Sequence, residues 1–331
     1  MKICGLCNKT KASIKLPKTN TFSCISCFTT DFETTIHNTI ISNNLFPTSS
    51  NTPPEKIAIG ISGGKDSTVL AYVINKLKNQ YKYNIDIQLI AIDEGIKGYR
   101  DESIETIIFN SKQLNLPLII ASFKELFGYT MDEIVPYCGI QNSCTYCGVF
   151  RRVALEKECK KLGIKKLLTG HNADDIAETV LMNILRGDFN RLPFSVKIIT
   201  DGEINRVKPF KYIYEKEIVM YAHYMKLKYF VTECTYAVGA FRGYSRELIK
   251  KVESDRAESI IDIIHSGENF EIDNKIVGRE KLLCEKCGGN SSHKLCKCCK
   301  LIENLNKWEC EKKIKLIFNM KNKFVKNIIF I

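Results

Sequence analysis

With 331 residues, 44% of them apolar, the chain is long enough for one large α/β core with smaller modules beside it. Its formal charge of +12 (49 basic against 37 acidic residues) suits an anionic partner such as nucleic acid, although a Lys-, Asn- and Ile-rich composition gives the same sign without one. A run of about 18 uncharged apolar residues, as a membrane span needs, is absent, and Met1-Lys2-Ile3-Cys4-Gly5-Leu6-Cys7 lacks a signal-peptide core, so a cytoplasmic chain with no membrane partner is expected.

Fifteen cysteines in such a setting are thiols or metal ligands rather than disulfides. Residues 1–30 carry Cys4-x2-Cys7 and, after sixteen intervening residues, Cys24-x2-Cys27. Two such knuckles predict a four-thiolate zinc site, and a segment too short to bury a core takes its folding energy from the metal. A redox Cys-x-x-Cys is the alternative, against which the paired copies argue. Residues 31–55 begin as a helix with Phe32, Ile36, Ile40 and Ile41 on one side, and end in a Pro-rich polar linker, Pro47 to Pro54.

From residue 56 strands and helices alternate, with strand candidates at 57–61, 85–92, 117–122, 165–169 and 228–233. The alternation predicts a doubly wound parallel sheet covered on both faces, within a domain reaching to about residue 270, with ligands at the carboxyl ends of the strands. Ser62-Gly63-Gly64-Lys65-Asp66-Ser67 is the turn between the first of these strands and a helix whose buried face is Val69, Leu70, Val73, Ile74 and Leu77. Two glycines allow close backbone approach, the helix start offers unpaired N–H groups to an anion, and Lys65 adds a charge: a phosphate cradle that is not the Walker A pattern. Asp93-Glu94-Gly95 ends the second strand, where the acids either hold a ribose or magnesium or cap the next segment. Gly170-His171-Asn172-Ala173-Asp174-Asp175 follows another strand. His171 reads equally as a turn residue. Asp174 and Asp175 open a helix and either cap it or, beside a phosphate cradle, serve magnesium or proton transfer, and function is expected for at least one of them.

Cys144-x2-Cys147 precedes Gly148-Val149-Phe150-Arg151-Arg152, and the distant Cys234 lies just past the last strand candidate. Three thiolates are too few for closed zinc and suit an iron–sulfur cluster with one open iron. Cys138 and Cys159 read as ordinary thiols. Residues 242–265 predict one helix, on which Arg242, Arg246, Lys250 and Lys251 form a basic face that either touches RNA or is merely solvated. Residues 280–305 hold a second four-cysteine set, Cys284-x2-Cys287-x8-Cys296-x2-Cys299, with Cys298 a competing thiol, and 306–331 form a basic tail.

Taken together, Ser62–Ser67, the Cys144 to Arg152 segment, Thr169-Gly170-His171-Asn172-Ala173-Asp174-Asp175-Ile176-Ala177-Glu178-Thr179, Thr232-Glu233-Cys234-Thr235-Tyr236 and both four-cysteine modules resemble the two-thiouridine synthetase branch of the PP-loop ATP pyrophosphatases, over about residues 4–305. The resemblance implies adenylation of a tRNA uridine at its C2 oxygen, for which the wobble uridine is preferred over a T-loop uridine or a non-catalytic tRNA-binding role. Sulfur then displaces AMP, with a thiocarboxylated ubiquitin-like modifier as donor. It implies ATP and magnesium at Ser62, Gly63, Gly64, Lys65, Asp66, Ser67, Ala91, Asp93, Arg151, Gly170, His171 and Asp174. Asp66, Asp175, Cys144, Cys147 and Cys234 would be catalytic. Two zinc ions would sit on Cys4, Cys7, Cys24 and Cys27 and on Cys284, Cys287, Cys296 and Cys299. One [4Fe–4S] cluster, or in older proposals a persulfide, would sit at the three inner cysteines. A second thiolation subunit, or a second copy of the chain, is the implied assembly partner.

Overall fold

The computed structural model describes residues 2–48, 52–232, 234–236, 241–270 and 282–328. A short hairpin, β1 (Ile14–Lys15) and β2 (Phe22–Ser23), delivers the chain into α1 (Ile25–Ser42). This helix begins before the boundary expected at 31, because Cys24 caps it, its Sγ accepting from Cys27 N. Phe28, Phe32, Ile36 and Ile40 make its buried stripe, while Ile41, expected on that stripe, is exposed. Of the Pro-rich linker, residues 49–51 lie outside the described residues.

The alternation then holds: β3 (Glu55–Gly60), α2 (Lys65–Tyr81), β4 (Ile85–Asp93), α3 (Arg100–Leu114) and β5 (Leu118–Ser122). Three helices follow, α4 (Phe123–Phe127), α5 (Met131–Cys138) and α6 (Ile140–Lys161), before β6 (Lys166–Leu168), α7 (Ala173–Leu185) and α8 (Leu192–Val196). The sheet is completed by β7 (Ile199–Thr200) and β8 (Asn205–Val207), and covered further by α9 (Glu215–Tyr224). The single helix expected over 242–265 is two, α10 (Arg242–Asp255) and α11 (Ser259–Glu268), broken where Arg256 turns extended. A last hairpin, β9 (Leu282–Leu283) and β10 (Asn290–Ser291), precedes α12 (Lys297–Ile328), so that the end of the second cysteine set and the basic tail share one helix.

The strand order is β5-β4-β3-β6-β8-β7, parallel except for β7. The chain winds outward from β3 in one direction through β4 and β5 and in the other through β6 and β8. A crevice therefore opens at the carboxyl ends of β3 and β6, where the winding reverses. The strand expected at 228–233 does not form among its described residues. Both flanks of β3 are already taken, and the segment instead gives Phe230 N to Gly63 O at 2.8 Å and accepts Asn110 Nδ2 on Lys228 O at 2.9 Å. The β7–β8 hairpin, not expected from the sequence, occupies the sheet edge.

One core lies on the α1, α2 and α9 side of the sheet and a second on the α4, α5 and α6 side. Ile14, Leu16 and Phe28 of the first cysteine module enter the former, and Cys298, Leu301 and Leu305 of the second enter the latter.

Candidate active site

The cradle is built from the end of β3 and the start of α2. Gly63 sits at φ +84°, in the region that favours glycine, and an added Cβ would lie 2.8 Å from Ser103 O. Ser67 Oγ accepts from Ser62 N and donates to Gly64 O, both at 3.1 Å, which closes the loop on itself. Gly64 caps α2 without a side chain, so the first N–H groups of the helix are left for an anion. Gly170, ending the β6 connection, comes so close that its Cβ would lie 3.0 Å from Asp66 C.

Around the cradle the charges are tightly paired. Lys65 Nζ binds Glu215 Oε1 at 2.7 Å and lies 3.4 Å from Asp66 Oδ2. Lys250 Nζ reaches Asp174 Oδ1 at 2.5 Å and Glu215 Oε2 at 3.3 Å. The other oxygen of Asp174 accepts Glu215 N at 2.7 Å. Asp175 shares a reciprocal cap with Asn172 and takes Arg242 at 3.1 Å. Asp66 accepts Asn172 Nδ2 at 3.0 Å and keeps its carboxylate partly exposed. Burial raises the carboxyl groups of Asp66, Asp174 and Asp175 above the ordinary range, against the pull of Lys65 on the first, Glu215 N and Lys250 on the second and Arg242 on the third. Such a cluster gains by meeting a cation. The His171 ring, bonded to Thr169 Oγ1 at 2.8 Å, is pushed down to about 4 by desolvation in the cleft and by Lys208, Arg242 and Arg206.

On the basic face expected on α10, Lys251 is exposed and the other three residues are engaged in ion pairs. Arg242 and Arg246 clamp Glu178, at 2.9 Å for Arg246, and Lys250 turns into the Asp174 pair. Ala91 is fully buried in the β4 core and does not line the cleft. Asp93 closes a turn by accepting Gly95 N at 2.8 Å. Its neighbour Glu94 is the acid that matters: 3% exposed, it receives Arg151 Nε at 2.7 Å and pairs with Arg100 Nε at 3.1 Å. Arg100 in turn donates to Ser62 O at 3.2 Å, and Arg151 to Cys147 Sγ at 3.3 Å. An unbroken chain of contacts therefore links the cradle to a cysteine. The cleft it borders, of ≈ 440 Å³, is lined by Ser62, Glu94, Arg100, Arg151, His171 and Arg242, among others.

Cys144 and Cys147 lie one turn apart on α6. The Cys234 segment is laid against that helix: Tyr236 O accepts Ser143 Oγ at 3.2 Å, and Tyr236 OH donates to Asp132 Oδ1 at 2.8 Å. Cys147 feels the charges of both Cys144 and Cys234, and burial pushes its thiol up to about 11. Among the described residues, single-ion spacing is met only elsewhere. The ligand atoms of Cys4, Cys7, Cys24 and Cys27, and those of Cys284, Cys287, Cys296 and Cys299, lie within 4.8 Å of one another. Both sets fit a tetrahedral zinc ion in donor type and spacing. Cys298 is not a competitor, since it is buried in the core beside Leu301 and Leu305. Cys138 donates to Gly139 O and Cys159 is fully buried, as expected of ordinary thiols.

A glycine-rich cradle after β3, an open parallel sheet and a cleft at its winding switch define a PP-loop nucleotide-binding protein, and a model of the PP-loop domain matches residues 31–252. Cytoplasmic tRNA 2-thiolation protein 1 of Oryza sativa subsp. japonica is 54% identical over 308 residues, covering 92% of this chain and 84% of its own. The protein of the same name from Schizosaccharomyces pombe is 51% identical over 312 residues, 92% of each. The U34-tRNA thiolase NcsA from Methanococcus maripaludis, solved with its [4Fe-4S] cluster, superposes with a TM-score of 0.76 at 28% identity, covering 92% of this chain and 96% of the other. The chain belongs to the cytoplasmic tRNA 2-thiolation protein 1 family.

Proposed function

We propose that the chain is an ATP-dependent enzyme that replaces the C2 oxygen of the tRNA wobble uridine with sulfur, in the cytoplasm for which its relatives are named. The observation that carries this reading is the path Ser62–Arg100–Glu94–Arg151–Cys147, which ties a nucleotide cradle to a thiol of α6 along one side of the cleft. The relative solved as a U34-tRNA thiolase favours the wobble position over a T-loop uridine.

In this reading the uridine C2 oxygen attacks the α-phosphate of ATP and pyrophosphate leaves. The open N–H groups of α2 and Lys65 meet the phosphate charge. Asp66, with its partly exposed carboxylate, would hold magnesium, and Asp175 sets the start of α7 beside it. A sulfur nucleophile then forms the C2–S bond as the C2–O bond breaks, and AMP departs with the oxygen. An uncharged carbonyl oxygen is a poor leaving group, and an AMP ester is a good one. The wobble base lies in a loop, so it enters a pocket without melting a duplex.

Cys144, Cys147 and Cys234 are the residues that would hold an iron–sulfur cluster, a role that their three thiol donors suit. When bound, that cluster supplies a position for sulfide. The two four-cysteine sets hold structural zinc. The sulfur donor is a thiocarboxylated ubiquitin-like protein, and the working assembly includes a second thiolation subunit or a second copy of the chain. In domain terms, zinc modules at 1–30 and 280–305 flank a catalytic domain at 56–270. Mass spectrometry of tRNA nucleosides after depletion, mapped by position, is expected to show 2-thiouridine lost at the wobble uridine. Its retention there would refute the reading.

A further inference from the structure

The start of α10 carries two aromatic side chains that no core explains. Phe241 is 44% exposed and Tyr244 69% exposed. Their rings lie 6.3 Å apart at 62°, and the guanidinium of Arg186, at the end of α7, sits 4.9 Å over the Phe241 ring. The platform is fixed to the cleft by the residue between them. Arg242, which lines the cleft with Ser62 and His171, donates to Asp175 O at 3.0 Å and clamps Glu178, so the first turn of α10 cannot drift from α7. Exposed aromatic faces interleaved with guanidinium planes, at the mouth of a cationic cleft, are the chemistry that receives unpaired bases. Every base has a π-face, and arginine both stacks and neutralises backbone charge.

We propose that Phe241 and Tyr244 form a stacking platform for an unpaired nucleobase flanking the base that enters the cleft. The proposal rests on the reading of the substrate as a tRNA loop, and adds to it the residues that hold the loop open beside the target. Arg186, already seated on Phe241, extends the stack. A single-stranded RNA is favoured over a protein partner because the apolar faces are interleaved with arginines rather than continuous, and because the neighbouring cleft is lined by five arginines, Arg100, Arg151, Arg152, Arg206 and Arg242, and by one acid, Glu94.

The test uses the full-length chain and an anticodon stem-loop RNA carrying 2-aminopurine beside the target uridine. Wild type is expected to bind the RNA and quench the probe. The Phe241→Ala/Tyr244→Ala double variant should lose the quenching and bind roughly ten- to a hundredfold more weakly. The Phe241→Trp/Tyr244→Phe variant, which keeps the rings, should retain both properties. Unchanged affinity and quenching in the alanine variant would overturn the platform. So would intact RNA binding accompanied by altered self-association in sedimentation, which would make the patch a protein contact. A wild type that does not bind the RNA at all would remove the substrate reading as well, and is thereby distinguished from failure of the platform alone.

Discussion

Glu94 binds a guanidinium with each carboxylate oxygen, Arg100 from the cradle side and Arg151 from the cysteine side, and only Arg151 reaches solvent. Removing one member of a buried ionic set leaves charge uncompensated at a cost of about 3 kcal/mol. Glu94→Gln is therefore expected to lower the urea unfolding free energy by about that amount, and to impair thiolation in whatever protein remains folded. Lys65→Ala and Asp66→Ala act differently. Both side chains lie on the turn, partly exposed, and Glu215 keeps Lys250 as a partner, so the fold should survive while pyrophosphate release with tRNA and ATP is lost. The sequence displayed the cradle and the eight cysteines of the two four-cysteine sets by spacing, whereas the distant Cys234 came in through the family resemblance. It could not separate Asp93 from Glu94, since both follow a strand and burial decides which becomes a turn cap and which a bridge. Nor could it reveal Glu215 and Lys250, which meet Lys65 and Asp174 across long stretches of chain.

Gly63 is the pivot of the loop between β3 and α2. Alanine there faces both a positive φ and a contact at 2.8 Å with Ser103 O, against α3. Gly63→Ala is expected to cost roughly 1–2 kcal/mol in stability from the backbone strain alone. Calorimetric titration should show a larger loss in ATP binding, because the displaced loop no longer presents the α2 N–H groups. An unaltered ATP affinity would show that the loop does not grip the phosphates. The β–α alternation through β5 was legible from apolar β-branched runs ending in turn residues. The segment 228–232 carries a similar apolar pattern but pairs with the cradle through one N–H rather than with a strand, a tertiary choice set by the filled flanks of β3. The β7–β8 hairpin escaped for the opposite reason: two- and three-residue strands are too short to show alternation.

Across the molecule, the two cysteine modules are not beads on a string. Ile14 and Leu16 of the first and Leu301 and Leu305 of the second belong to the main cores, and Lys18 of the first binds Glu217 of α9 at 3.1 Å. Metal removal should therefore destabilise the whole chain. A thiol-modifying reagent with a chromogenic chelator is expected to release two zinc ions per chain, and chelated protein should melt lower in one transition; unchanged melting would make the modules independent. Contacts from Ser62 through Arg100, Glu94 and Arg151 join the cradle to Cys147 of α6, and the segment after residue 232 packs on that helix, and from this we infer that activation and sulfur delivery are successive steps at one site. Single-turnover analysis of Cys234→Ser with α-labelled ATP and tRNA tests this inference most directly. Adenylated tRNA should accumulate without 2-thiouridine, while ATP and tRNA binding persist. Retained thiolation would remove Cys234 from the chemistry, and loss of adenylation together with thiolation would show that the residue only supports the fold.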